Sequence, residues 1–234
     1  MVKGTWAAGF TVASVWFGTH VGGGFATGNQ IIQYFVYYGW TAALYPILSM
    51  GLLAYTMYVI MKFCRMRDIT NYKDAYRALW APYEFMELTF ELFYFIIILA
   101  AVASAIAGSA ALVTLHLGLN YVLSSVLVAA LLIVLSIFGV KLIIAASTIL
   151  STLILIMTAV LVIAGLIMNP GGFDPAALAI KEPLTAFWRG VLIYCGFQCV
   201  SIPAMIAAAT TLSGKGVKKA AILGGVMNGG ALAL

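Results

Sequence analysis

Residues 21–30 read Val-Gly-Gly-Gly-Phe-Ala-Thr-Gly-Asn-Gln and lie inside an otherwise continuous apolar run over 5–38. As a single helix that run would be about 50 Å long, against a bilayer hydrocarbon core of about 30 Å. Each interior glycine costs a helix about 1 kcal/mol relative to alanine, so Gly22, Gly23, Gly24 and Gly28 predict a break. Backbone outside a helix cannot face lipid, where each unsatisfied N–H or C=O costs several kcal/mol. It persists only where it lines a cavity or is buried in protein. The break is therefore the first candidate site.

Composition sets the environment of that break. Only 8% of the residues are charged and 64% are hydrophobic, with a mean hydropathy of +1.10, whereas about a quarter of a soluble domain is charged. An integral membrane protein is expected. The formal net charge of +5 does not point to nucleic acid, because the cations occupy short loops between apolar spans without aromatic interleaving. Cys64, Cys195 and Cys199 make no disulfide framework. A cleaved signal peptide is an alternative for the start of the chain, but the apolar run continues into a second piece without a small-residue cleavage site.

The apolar pattern predicts spans over about 5–38, 42–61, 85–116, 121–140 and 142–168, a loop over 169–189, a sixth span over about 190–212 and a seventh starting near 220. The polar loop 62–83 is expected to hold a short interfacial helix. Gly196 and Pro203 interrupt the sixth span and predict a second broken helix. The seventh run is too short to cross, so the chain is expected to be part of something longer. With the N-terminus inside, alternation places Lys3, Lys62, Arg65, Arg67, Lys73, Arg77, Lys141, Lys215, Lys218 and Lys219 on the cytoplasmic side and only Lys181 and Arg189 outside. That bias is the positive-inside pattern. The two broken helices then cross in opposite directions five spans apart, as in transporters built from inverted repeats of five, whose sites lie near the midplane at discontinuous helices.

Residues 18–30, Gly-Thr-His-Val-Gly-Gly-Gly-Phe-Ala-Thr-Gly-Asn-Gln, resemble the first-helix signature Gly-Thr-x-x-Gly-Ala-Gly-Phe-Ala-Ser-Gly-Gln-Glu of the YkvI-like membrane proteins, a branch of the LeuT-fold amino acid, polyamine and cation transporter superfamily. His20 stands where an aliphatic residue is usual, and Asn29-Gln30 replaces Gln-Glu. The resemblance implies an all-α polytopic membrane protein with a LeuT-like 5+5 inverted-repeat fold. Here 1–168 would form the first five-helix repeat, and 190–234 would supply helix 6 and part of helix 7, with helices 1 and 6 discontinuous. It further implies a secondary active transporter in a prokaryotic plasma membrane, N-terminus cytoplasmic. The solute would be an amino acid or related zwitterion, moved by alternating access and coupled to Na+ or H+, with no other cofactor.

The candidate substrate site comprises Gly22, Gly23, Gly24, Phe25, Ala26, Thr27, Gly28 and Asn29 from the first helix with Tyr194, Gly196, Gln198 and Ser201 from the sixth. A half-helix restarting near Ala26 would offer free N–H groups to a carboxylate, and the preceding half would offer carbonyls to a cation. His20, Gln30 and Glu91 are candidates for ion or proton coupling. Each feature has a plainer reading. The glycines at 18/22 and 24/28 fit small-xxx-small helix packing, and His20 can bond a neighbouring carbonyl. Glu84, Glu87 and Glu91 suit a solvated helix start. Cys195 and Cys199 suit apolar packing better than a metal site. No Ser/His/Asp arrangement, intramembrane carboxylate pair or metal-ligand cluster suggests an enzyme. A membrane scaffold or assembly protein is the competing functional class, and a passive channel does not require two broken helices.

Overall fold

The computed structural model describes residues 4–22, 25, 28–137, 139–168 and 188–233. Among these the protein is all-helical, and four helices are long and apolar enough to cross a membrane: Val36–Met66, Glu84–Leu117, Ile144–Met168 and Arg189–Ala209. In chain order the elements are α1 (Trp6–His20), α2 (Asn29–Tyr34), a 3-10 stretch Val36–Ala43 leading into α3 (Leu44–Met66), α4 (Tyr72–Trp80), α5 (Glu87–Leu117), α6 (Tyr121–Ile137), α7 (Gly139–Met168), α8 (Arg189–Ala209) and α9 (Gly214–Ala233).

Local chemistry explains the boundaries. Thr5 caps α1 by accepting from Ala8 N–H at 3.2 Å, and Asn71 caps α4 by accepting from Asp74 N–H at 2.9 Å, each satisfying an amide with no partner inside its helix. Pro46 falls in the first turn of α3, where its missing N–H costs little. Gly118, at φ +68°, closes α5 in the left-handed conformation, with its N–H donating to Thr114 O at 3.0 Å. The interfacial helix expected in the polar loop is α4. Its Tyr76 stacks on Phe90 of α5 with centroids 3.7 Å apart, and Arg77 pairs with Glu87 at 3.2 Å.

The core lies where α1, α3, α8 and α9 meet, around Trp16, Met50, Leu53, Met57, Tyr194 and Met205. α1 and α9 run parallel. An added Cβ at Gly9 would lie 3.0 Å from Lys219 Cβ, one at Gly224 would lie 2.2 Å from the Trp16 ring, and His20 meets Asn228. α3 runs antiparallel to α9, with Gly225 against Ala54 and Gly229 against Met50. Small residues on α9 thus let two neighbours approach its backbone, and dispersion contacts replace the hydrophobic drive that lipid does not supply. α5 and α7 contribute little to this core. Only 6% of the most apolar window of either span is buried, against 56% in Arg189–Ala209, so their apolar faces suit contact with lipid.

Two expectations need correction. The sixth span is not discontinuous. From Arg189 it passes through a π-turn (Arg189–Ile193), an α-turn (Tyr194–Gln198), a 3-10 turn (Cys199–Ser201) and a further α-helix (Ile202–Ala209), with right-handed helical dihedrals at every junction. Pro203 removes one amide from the ladder directly after the 3-10 turn Cys199–Ser201, so the bond pattern changes there without the chain leaving helical dihedrals. The fifth span does not alternate as expected either. Ser151 Oγ donates to Ser14 O at 3.0 Å, and Ser147 Oγ lies 3.1 Å from an added Cβ at Gly18. α7 therefore runs antiparallel to α1, whereas a first repeat of five alternating spans requires the two to be parallel.

Replacing Gly224 by alanine should destabilise the protein by about 1–3 kcal/mol through overpacking against Trp16. The Gly230→Ala substitution, at an exposed position with nothing within 4 Å, should be neutral or stabilising by up to about 1 kcal/mol. Thermal unfolding in detergent measures both. α5 spans about 46 Å over its 31 residues, so cysteines replacing Lys73 and His116 should be labelled from opposite faces of sealed vesicles. Labelling from one face would refute a crossing by α5.

Candidate functional site

The 15 residues of α1 extend about 22 Å, less than the hydrocarbon core, so a chain entering the membrane at the start of α1 reaches His20 before the far surface. The break closes on itself. Val21 N–H donates to Phe17 O at 2.8 Å, Gly22 N–H to His20 O at 2.9 Å, Phe25 N–H to Gly22 O at 3.1 Å and Gly28 N–H to Phe25 O at 2.9 Å. Gly28, at φ +72°, then turns the chain into α2 in a conformation that suits glycine. Among the described residues the helix after Gly28 begins at Asn29, and the expected restart near Ala26 lies outside them. With six residues, α2 is too short to carry the dipole that a carboxylate site at its N-terminus would need. Gly23, Gly24, Ala26 and Thr27, with the side chain of Asn29, lie outside the described residues.

What the break presents is a side-chain network. His20 is 2% exposed. Its Nδ1 lies 2.5 Å from Asn228 Oδ1 and its Nε2 lies 2.7 Å from the Tyr194 hydroxyl. That hydroxyl donates to Gln30 Oε1 at 3.0 Å and accepts from Gln198 Nε2 at 3.4 Å. Asn228 Nδ2 donates to Gly224 O at 2.8 Å, which identifies Oδ1 as the atom facing the ring. Aromatic rings enclose the chain: Phe25 has its centroid 5.5 Å from that of His20, and Tyr34 and Phe35 each lie 5.0 Å from Tyr194.

The start of α8 delivers Tyr194 to this position. Gly190 brings its backbone so close that an added Cβ would sit 2.8 Å from Tyr34 O and 3.2 Å from the Tyr45 ring. Ser49 Oγ pins the same turn by donating to Val191 O at 3.0 Å. Beside the network, Gln33, Tyr34, Tyr37, Tyr38, Arg189 and Ile193 line a cavity of about 330 Å³. Tyr34 belongs to both, since its ring packs on Tyr194.

Of the candidates read from the sequence, His20, Gln30, Tyr194 and Gln198 come together, with Phe25 against them. Gly22 is exposed. Ser201 is 1% exposed with no partner for its Oγ among the described residues, two turns along α8 from Tyr194. Gly196 is exposed, with open space where a Cβ would stand. Glu91 is at the other end of the helices, paired with Lys73; the hydrogen bond to that carboxylate raises the Lys73 ammonium above its ordinary pKa. Asn228 was not among the candidates. Its signal was a lone amide side chain in an apolar, glycine-rich run, the kind of residue that bonds between membrane helices. Among the described residues, no group of three or more His, Cys, Asp or Glu is placed to hold a metal ion.

Long apolar helices with a hydrogen-bonded polar network enclosed among them define an all-helical integral membrane protein. Comparison of the chain with protein-family models, curated proteins and solved structures returns no match, so the likeness to YkvI-like proteins rests on residues 18–30 and the order of spans.

The Asn228→Leu substitution should cost about 1–3 kcal/mol by stranding the buried imidazole N–H, and the double substitution His20→Leu/Asn228→Leu should recover part of that loss, because removing both partners leaves no polar group unpaired. Unfolding of the single and double variants in detergent measures the coupling. Strict additivity would show that the two side chains do not bond.

Proposed function

We propose that this chain belongs to a secondary transporter that moves a small carboxylate-bearing solute, an amino acid or related zwitterion, by alternating access. The observation that carries the reading is the junction of His20, Gln30, Tyr194 and Asn228, polar groups from both sides of the α1 break and from two other helices, buried within the membrane thickness. Polar residues at that depth are expensive and mark solute and ion pathways. A junction that contains no ion pair among the described residues and shares one hydroxyl can be remade in a second arrangement without separating paired charges, which is what two alternating conformations require.

The adjoining cavity supports the same reading. Its volume exceeds that of a single water, about 30 Å³, by enough to admit an amino acid. Arg189 offers it a cation suited to bidentate carboxylate recognition, and the tyrosines offer apolar faces with polar tips. With the N-terminus cytoplasmic, the orientation favoured by the cations near the start of α1, the end of α3 and the start of α9, this cavity would open on the outer side. The opposed directions of α1 and α8 support the inverted pairing that the LeuT-like reading implies, while the direction of α7 does not, and transport does not depend on it. A membrane scaffold or assembly role is the competing reading, favoured by the exposed apolar faces of α5, α6 and α7.

Uptake of a panel of radiolabelled amino acids into vesicles containing the full-length protein, under imposed proton and sodium gradients, tests the proposal. Saturable, gradient-driven uptake of at least one is expected. The Arg189→Gln variant should raise the half-saturation concentration by about tenfold, the cost of one lost charge-assisted bond. Absence of uptake across the panel, with insertion verified, would leave the scaffold reading.

A further inference from the structure

The hydrogen-bond count around Tyr194 does not close for a neutral ring. Asn228 is committed as an acceptor at Oδ1, because its Nδ2 donates to Gly224 O, so His20 Nδ1 carries a hydrogen and donates to it. A neutral imidazole then has a bare Nε2, which must accept the Tyr194 proton across 2.7 Å. Tyrosine has only one hydroxyl proton. With that proton on the His20 side, Gln30 Oε1, 3.0 Å from the same oxygen, faces it lone pair to lone pair.

A protonated ring removes the conflict. Nε2–H donates to the Tyr194 oxygen, that oxygen also accepts from Gln198 Nε2, and its own proton passes to Gln30 Oε1. The neutral ring is accommodated only if the Gln30 amide turns over and presents Nε2. We infer that His20 is a proton-binding site whose occupancy sets the direction of the Tyr194 hydroxyl and, through it, the orientation of the Gln30 amide on the far side of the helix break. The proton enters at Nε2 and leaves by the same atom, and no ring needs to move.

The groups facing His20 from each neighbour are neutral. α9 supplies Asn228, α8 supplies Tyr194 and Gln198, the segment beyond the break supplies Phe25 and Gln30, and α7 packs on α1 through Ser147 and Ser151. Tyr194 is the one titratable group among them. No ion pair among the described residues involves His20, so the state of the ring is reported through the hydroxyl and the two glutamine amides. Gln30 begins the connection from the break through α2 to the aromatic wall of Tyr34 and Phe35, which places the reporter of the proton next to the cavity. This deepens the transport reading by naming the coupled ion as H+, and it rests on that reading only for the use made of the proton.

The test needs no solute, so its failure would leave transport itself standing. His116, exposed near the end of α5, is the only other histidine. The full chain with His116→Gln, labelled with ¹⁵N in the imidazole ring and in glutamine side chains, is reconstituted in lipid and followed by solid-state NMR across the range in which imidazoles titrate. The Gln30 signal is assigned by its loss in the Gln30→Met variant. At alkaline pH one protonated Nδ1 and one bare Nε2 are expected. On acidification both ring nitrogens become protonated, and the Gln30 amide signal shifts in the same step. In the Tyr194→Phe variant the ring still titrates but the Gln30 shift is lost. A neutral ring carrying its hydrogen on Nε2, a ring that stays neutral throughout, or a Gln30 signal indifferent to the titration would each overturn the inference.

Discussion

A polar side chain held away from water in a membrane must find its partners inside the protein, and the arrangement around His20 follows from that constraint. The ring sits at the end of α1, where the helix can no longer be continued through the glycines. Three separate segments converge to satisfy it: Asn228 from α9, Tyr194 from α8 and, through the tyrosine, Gln30 from α2. Each convergence requires close backbone approach. Gly224 admits Trp16 so that α9 can lie along α1, and Gly190 admits the turn of α8 against Tyr34. The glycines that matter most for the junction are therefore on its partners rather than in the motif that draws attention first.

The break and the junction divide the work between backbone and side chains. The described amides of the break are occupied by short turns between Phe17 and Gly28, so the polar character of the site is carried by an imidazole, a phenol and amides. Such groups exchange hydrogen-bond roles at little cost, unlike a buried ion pair, whose disruption strands charge. Helix α8 contributes by staying helical while varying its pitch. The π-turn at Arg189–Ile193 and the 3-10 turn at Cys199–Ser201 bracket Tyr194 and Gln198, so the segment keeps its backbone bonded while adjusting where those side chains face.

The sequence by itself determined a good deal. Hydropathy and length define a helical membrane protein, because only bonded helices of that length can cross lipid. The glycines at 22 and 28 locate the end of α1 and the start of α2 to within a few residues, since glycine disfavours helix and permits the left-handed turn at Gly28. His20, Gln30, Tyr194 and Gln198 were legible as candidates, because polar side chains are scarce in apolar spans. Tertiary structure decided the rest. Proline and glycine in 196–203 suggest a break by local propensity, but the span takes up Pro203 as a change of helical pitch, which only the packing of the whole segment reveals. The direction of α7 is set by its packing on α1, which alternation of charge cannot specify. Asn228, 208 residues from His20, becomes a partner only because α9 runs parallel to α1 at backbone contact, and no local pattern in either segment encodes that meeting.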